Sequence, residues 1–204
     1  MVRAAALVTG DGAKLQAILD SMYFKEIPDF ELIAVISSER EAYAMKRALN
    51  AGIPAFVVDP ELFPNNTSHS MAVANKLKDM DVDLVILAGY EQPLGVIPYQ
   101  FKNRIIGTYP ALCPAFEDVD GDVQRAVLER GVKVTGATSY FADGDGRVGG
   151  IIAQRSIEVK VDDTPETLSR RVLEEAEWKL LSQAVSLYCS HKLSIHGSRV
   201  VIEE

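Results

Sequence analysis

The sequence predicts a doubly wound α/β fold with a mostly parallel, twisted sheet. Short apolar segments alternate with helical segments through the first hundred residues, an order typical of parallel sheets covered by helices. The segment Leu84–Ala88 is apolar at every position, as expected for a strand buried on both faces. No Pro- or Ser-rich linker interrupts the 204 residues, so we predict one domain over residues 1–204.

The first half of the chain repeats a strand followed by a helix. Gly52 can end the second helix, because glycine accepts the left-handed conformation found after helices, and Ser68 is a candidate N-cap for the third. The predicted strands are Ala4–Thr9, Leu32–Ile36, Ala55–Val58 and Leu84–Ala88, and the predicted helices are Lys14–Met22, Glu41–Asn50 and Ser68–Met80.

The second half has longer elements and a mixed pattern. A turn rich in glycine and aspartate, Asp143–Gly150, separates two strands, and Thr164 and Pro165 begin one long C-terminal helix. A terminal hairpin is predicted within Leu193–Ile202. The remaining predicted elements are the strands Arg104–Tyr109, Val134–Phe141 and Ile151–Val159, the helix Asp122–Arg130, and the long helix Thr164–Tyr188.

Charge and cysteine content exclude several functions. The net charge is −8 and the basic residues are scattered among acidic ones, so we expect no nucleic-acid partner and no anionic-membrane partner. Cys113 and Cys189 lack the spacing of a zinc site, and we expect no metal. No segment reads as a signal peptide or a membrane span, so we expect a cytoplasmic protein. We interpret His69, His191 and His196 as surface residues.

The segments that follow predicted strands are the candidate site, because ligands of open α/β sheets bind at the carboxyl ends of the strands. The first of these is Gly10-Asp11-Gly12-Ala13-Lys14. Its glycines permit a tight turn whose amides could bind an anion, and Lys14 could add a positive charge. An ordinary strand-to-helix turn that binds nothing explains the same residues equally well.

Six segments carry motifs in a specific order and spacing. They are Gly10–Ile18, Leu87–Tyr90, Tyr109–Pro114, Gly131–Thr138, Ile151–Gln154 and Arg170–Trp178. Together they resemble the glycinamide ribonucleotide (phosphoribosylglycinamide) formyltransferase family over nearly the whole chain. The resemblance implies formyl transfer from 10-formyltetrahydrofolate to the amine of glycinamide ribonucleotide, in purine biosynthesis.

The resemblance also assigns binding roles. It makes residues 1–100 a nucleotide- or phosphate-binding half and residues 101–204 a folate-binding half. The ribonucleotide phosphate, or another anion, would lie on Gly10, Asp11, Gly12, Ala13 and Lys14. The folate site would include Leu87, Gly89, Tyr90, Leu94, Phe141 and Asp143.

Three positions that carry the family's chemistry are substituted. Gly107 stands where the family has an Asn that stabilises the oxyanion, Tyr109 replaces a His that assists proton transfer, and Arg147 replaces the Asp that orients this His. Such groups contribute about 10²–10⁴ in rate. The acidic segment Phe116–Ala126 is also a few residues shorter than the Gly/Tyr-rich substrate segment of that family. We therefore expect formyl transfer to be lost or greatly weakened.

Two alternatives remain open at this stage. In the first, the chain is an active transferase with a rearranged site, in which Asp143 or Asp145 acts as a base. In the second, it is a non-catalytic ligand-binding or regulatory protein, as a homo-oligomer or paired with an active homologue. We favour a turn-forming role for the two aspartates and a packed thiol for Cys113.

Overall fold

A computed structural model describes residues 1–119 and 121–203. Its centre is a seven-stranded sheet of order β3-β2-β1-β4-β5-β6-β7. The first five strands in the chain are parallel, and the last two are antiparallel to their neighbours. The strands are β1 (Val2–Val8), β2 (Phe30–Ser37), β3 (Ala55–Val57), β4 (Leu84–Leu87), β5 (Ile105–Tyr109), β6 (Val134–Ala142) and β7 (Val148–Glu158). The predicted fold class is confirmed.

Helices cover both faces of this sheet. They are α1 (Ala13–Tyr23), α2 (Tyr43–Asn50), α3 (Asn66–Asp79), α4 (Ile97–Gln100), α5 (Val123–Arg130), α6 (Pro165–Val172) and α7 (Trp178–Cys189). The face covered by α1 and α7 buries Leu15, Ile18 and Leu181, and the opposite face, covered by α3, buries Val73 and Leu77. Burial on both faces explains why β1 and β4 are apolar throughout.

The C-terminal segment is the largest departure from the predicted elements. A π-helical turn, Leu173–Glu177, separates α6 from α7, so the predicted continuous helix Thr164–Tyr188 is interrupted. Thr164 caps α6 as expected, with its side chain accepting from the Thr167 amide. The predicted hairpin is confirmed as β8 (Leu193–His196) and β9 (Arg199–Ile202). No helix in residues 1–119 and 121–203 has the length and apolarity needed to span a membrane.

Two details of α3 were predicted wrongly. Asn65, not Ser68, is the N-cap, and its side-chain oxygen accepts from the Ser68 amide at 2.9 Å. His69 is only 1 % exposed, and its Nε2 lies 2.9 Å from the Val58 carbonyl oxygen. Starting the helix earlier places His69 on the same face as Val73 and Leu77, which points into the core.

The turn between β6 and β7 is shorter than predicted. Strand β7 begins at Val148 instead of Ile151, so only Asp143 to Arg147 lie between the two strands. Asp143 Oδ1 accepts from the amides of Asp145 and Arg147 at 2.9 and 2.8 Å. Side-chain bonds of this kind are a common way to close tight turns.

Candidate functional site

The candidate site lies at the carboxyl ends of the parallel strands, whose order reverses between β1 and β4. In doubly wound sheets the loops after two such strands separate and leave a crevice. Here the loops are joined by two hydrogen bonds: the Thr9 amide donates to the Gly89 carbonyl at 2.9 Å, and the Glu91 amide donates to Thr9 Oγ1 at 3.1 Å. Gly89 thus holds the backbone of the site in place.

The loop after β1 depends on Gly12. This residue has a φ of +73°, and a Cβ placed on it would lie 2.6 Å from the Ala44 Cβ. Both the left-handed conformation and the close approach of α2 therefore require glycine. The result is a tight turn that leads directly into α1, as the sequence predicted.

Carboxylates of the chain accept from two of the loop's amides. The Gly10 amide donates to Glu39 Oε2 at 3.1 Å, and the Ala13 amide donates to Asp11 Oδ1 at 2.9 Å. Amides at a helix N-terminus are the groups that commonly bind an anion. The phosphate-binding role of the loop stays a prediction, and a phosphate bound at these two amides would have to displace two carboxylates.

Lys14 also has an internal partner. Its ammonium group contacts Glu177 Oε1, which accepts a second bond from Thr108 Oγ1 at 2.8 Å. Glu177 is 4 % exposed. The π-helical turn ends at Glu177, and such turns occur frequently at functional sites. Releasing Lys14 would leave a buried carboxylate with only one hydroxyl donor, which is costly.

A cavity of about 520 Å³ lies next to this loop, between the segment after β4 and the β6–β7 turn. It brings together three predicted folate-site residues: Leu87, Tyr90 and Leu94. Tyr140, Tyr99 and the turn residues Gly144 to Gly146 complete much of the lining. Asp143 is adjacent and holds the turn.

Phe141, also predicted for the folate site, has its side chain outside this cavity. It is 3 % exposed and packs in the core on the α1 and α7 face, with its ring 6.2 Å from that of Tyr188. Successive side chains of a strand point to opposite faces. Its neighbour Tyr140 therefore lines the cavity instead.

A second cavity, of about 370 Å³, adjoins the first. Tyr140 and Gly146 line both cavities, so they mark the junction between them. The other lining residues are Tyr109, Glu117, Asp118, Val119, Arg147 and Val148. Two of the three substituted positions, Tyr109 and Arg147, thus face one cavity. Asp120, within the predicted acidic segment, lies outside the described residues.

The third substituted position, Gly107, lies under the Tyr140 ring. The two residues are register partners on β5 and β6. A Cβ on Gly107 would lie 3.0 Å from Tyr140 Oη, 3.1 Å from Tyr140 Cζ and 3.2 Å from Leu87 Cδ1. The tyrosine therefore fills the space that a side chain at position 107 would need.

Tyr109 is already engaged by the backbone. Its hydroxyl donates to the Phe116 carbonyl at 2.8 Å. Burial raises the pKa of Tyr109 above its ordinary value, and Cys113 and the Glu117 and Asp118 carboxylates raise it further. The phenol is therefore protonated at neutral pH and does not act as a base there.

The other phenols of the cavity are also neutral. Burial raises the pKa of both Tyr90 and Tyr140. Tyr90 Oη is fully buried and has no hydrogen-bond partner among residues 1–119 and 121–203. Cys113 is buried, and burial raises the pKa of its thiol. These groups are donors at neutral pH, and none is an activated nucleophile.

The remaining predicted substitutes lie at the rim. Asp145 and Arg147 are exposed on the β6–β7 turn. The Asp143 carboxylate accepts from the Asp145 and Arg147 amides and so stabilises the turn. In the described part of the chain, no group of three or more His, Cys, Asp or Glu side chains is arranged to hold a metal ion.

Sequence reasoning missed Tyr140, Thr108 and Glu177. Tyr140 could have been found from strand alternation, since it lies two residues from Thr138 on the same face of β6. Glu177 had a weaker signal, an acidic residue beside the buried Ala176, Leu180 and Leu181. The π-helical turn that directs it inward has no recognisable sequence pattern.

Comparison with known proteins places this architecture in a family. Residues 2–185 match the model of the formyl transferase family. The chain is 34 % identical over 196 residues to the trifunctional purine biosynthetic protein adenosine-3 of Gallus gallus, covering 95 % of this chain. It spans about a fifth (19 %) of the length of that relative.

Single-function relatives match over most of their own length. The phosphoribosylglycinamide formyltransferase of Mycobacterium tuberculosis is 32 % identical over 197 residues, with 96 % of this chain and 88 % of the relative covered. The crystal structure of glycinamide ribonucleotide transformylase 1 from Symbiobacterium toebii is 40 % identical, with a TM-score of 0.94 over 100 % of this chain and 95 % of that one. The chain therefore belongs to the formyl transferase family and resembles phosphoribosylglycinamide formyltransferases.

Proposed function

We propose that this protein binds a folate-type ligand, 10-formyltetrahydrofolate or a close analogue, in the 520 Å³ cavity. We further propose that its formyl transfer to glycinamide ribonucleotide is lost or greatly weakened. The family membership supports the ligand class. Leu87, Tyr90, Leu94 and Tyr140 give the cavity apolar and aromatic surface, and Glu91, Gln92 and Asp145 add polar groups to its lining.

The proposal of weakened transfer rests on one observation, the hydrogen bonding and protonation of the Tyr109 hydroxyl. Its hydroxyl donates to the Phe116 carbonyl, and its pKa is raised by burial and by nearby acidic groups. A general base works best when its pKa lies near the operating pH. Tyr109 meets neither the geometric nor the protonation requirement of that role.

The loop after β1 supports the same proposal. Its Gly10 and Ala13 amides donate to carboxylates, and Lys14 is paired with Glu177. Asp11, Glu39 and Glu177 contribute three negative charges, against the two positive charges of Lys14 and of Arg47, whose Nε donates to the Asp11 carbonyl. A ribonucleotide phosphate would enter against this charge, so we expect weak binding of the acceptor substrate.

The size of the expected loss follows from the groups involved. Loss of a general acid–base residue costs about 10²–10⁴ in rate. We therefore expect turnover at least about 100-fold below that of a relative that has such a residue.

The test is formyl transfer from 10-formyltetrahydrofolate to glycinamide ribonucleotide, followed by the absorbance of released tetrahydrofolate. The purified chain is compared with the phosphoribosylglycinamide formyltransferase of Mycobacterium tuberculosis under the same conditions. We expect slow or undetectable turnover. Turnover in the ordinary enzyme range, about 1–10³ s⁻¹, would refute the proposal.

An active transferase with a rearranged site is the second candidate. It is favoured by one observation, the Tyr140 hydroxyl at the junction of the two cavities. This version predicts that Tyr109→Phe or Asp145→Asn abolishes measurable transfer. Full activity in both variants would exclude a base at either position.

A further inference from the structure

The pairing of Gly107 with Tyr140 makes the two residues sterically dependent on each other. Gly107 has a φ compatible with other residues, so its backbone does not demand glycine. The constraint is spatial, because an added Cβ would meet Tyr140 Oη at 3.0 Å. A side chain at position 107 and the Tyr140 ring in its present place therefore exclude each other.

Tyr140 lies beside the ligand space. The residue is 8 % exposed, and it lines both the 520 and the 370 Å³ cavities. Burial is the largest cause of its raised pKa, followed by the influence of Cys113, Glu177 and other nearby groups. The phenol therefore keeps its proton and is a hydrogen-bond donor at neutral pH.

The neighbouring phenols are less suited to meet a ligand. The Tyr109 hydroxyl donates to the Phe116 carbonyl. Tyr90 Oη is enclosed, with no surface open to the cavity. Tyr99 is 73 % exposed at the rim. Tyr140 is thus the phenol that combines burial, a position at the cavity junction and a place beside the substituted position 107.

We propose that the Tyr140 hydroxyl donates a hydrogen bond to the formyl oxygen of the bound folate-type ligand. Tyr140 then determines specificity, since it favours a formylated folate over the unformylated form. The inference rests on the proposed function, because it requires that a folate-type ligand occupies the cavity. In this chain the Tyr140 phenol on β6 makes the contact with the formyl oxygen, because the Tyr140 ring leaves no room for an asparagine side chain at position 107.

Calorimetric titration with 10-formyl-5,8-dideazafolate and with its unformylated counterpart tests this directly. One neutral hydrogen bond is worth roughly a factor of 10 in affinity. We expect the wild type to prefer the formylated compound by about that factor, and Tyr140→Phe to reduce the ratio to near one. Tyr99→Phe, which removes a phenol from the rim of the same cavity, is the matched control and should leave the ratio unchanged.

A second variant, Gly107→Ala, provides an independent test in case Tyr140→Phe does not fold. Gly107→Ala keeps the phenol but forces its ring to move, and we expect a reduced ratio in this variant as well. If neither compound binds the wild type, the proposed function itself fails. If both bind but the ratio is already near one, or survives Tyr140→Phe, only the role of Tyr140 is overturned.

Discussion

The loop after β1 and the cleft beside β6 differ in the partners of their polar groups. In the loop, the Gly10 and Ala13 amides and the Lys14 ammonium all have carboxylate partners within the chain. In the cleft, Tyr90, Tyr140, Leu87 and Leu94 share the lining with Glu91 and Asp145. Tyr140 lies at the junction of two cavities there.

This difference separates two functions that a transferase normally combines. A cleft of neutral phenols can bind a ligand and orient a carbonyl group without transferring protons. A loop whose Gly10 and Ala13 amides and Lys14 ammonium already have carboxylate partners offers these donors to an anion only if the partners are displaced. We therefore assign ligand binding to the cleft and mainly a structural role to the loop.

The largest expected effect is on the charged side of this comparison. Glu177→Ala leaves Lys14 partly buried without its partner and removes the acceptor of Thr108. Breaking a buried pair costs about 3–5 kcal/mol, and because Lys14 can turn toward solvent we expect about 2–3 kcal/mol in urea denaturation. Glu174→Ala, an exposed neighbour on the same turn, should change the free energy of unfolding by less than about 0.5 kcal/mol. If both variants lost the same small amount of unfolding free energy, the Lys14–Glu177 pair would not stabilise the fold.

The cleft side is tested by adding volume at position 107. Gly107→Ala places a methyl group 3.0 Å from Tyr140 Oη, and overpacking of this kind costs about 1–3 kcal/mol. In a Tyr140→Val background the same change should cost less, with a coupling energy of at least about 0.5 kcal/mol in a double-mutant cycle. Gly144→Ala is the control, since nothing lies within 4 Å of its Cβ position. If the stability costs of Gly107→Ala and Tyr140→Val were additive, the two positions would not be sterically dependent on each other.

The smallest expected effect is on the pH dependence of stability. Burial raises the pKa of Tyr90 in the folded state, so the folded state holds this proton more tightly than the unfolded state, whose tyrosines titrate near 10. The stability is therefore fully present below about pH 10 and is lost as the pH rises above it. Thermal unfolding between pH 8 and 11 should show this loss, and Tyr90→Phe should reduce it. Tyr23→Phe, at an exposed site, should leave the pH dependence unchanged, and a loss identical in all three proteins would contradict the assignment.

The fold followed from sequence more completely than the site did. Alternating apolar and helical segments defined the parallel sheet, because burial on both faces leaves a clear apolar pattern at β1 and β4. The N-cap of α3 was misplaced because Asn65 and Ser68 have similar capping ability. Because the predicted helix began at Ser68 instead of Asn66, the face shared by His69, Val73 and Leu77 was not recognised.

The residues of the site were only partly predictable. Leu87, Tyr90 and Leu94 line one cavity, because they lie at the end of one strand and in the segment after it. The Lys14–Glu177 pair joins residues 163 positions apart, and Gly107 meets Tyr140 through an antiparallel register. Such long-range contacts depend on register and on the π-helical turn, and neither can be derived from local pattern.

A calorimetric comparison of two ligands tests the central claim, that the cleft binds and the loop does not. The chain is titrated with 10-formyl-5,8-dideazafolate and, separately, with inorganic phosphate. We expect binding of the folate analogue, weakened by substitution in the cleft, and no measurable phosphate binding at millimolar concentration. Phosphate binding that disappears in Lys14→Met, together with no binding of the folate analogue, would contradict it.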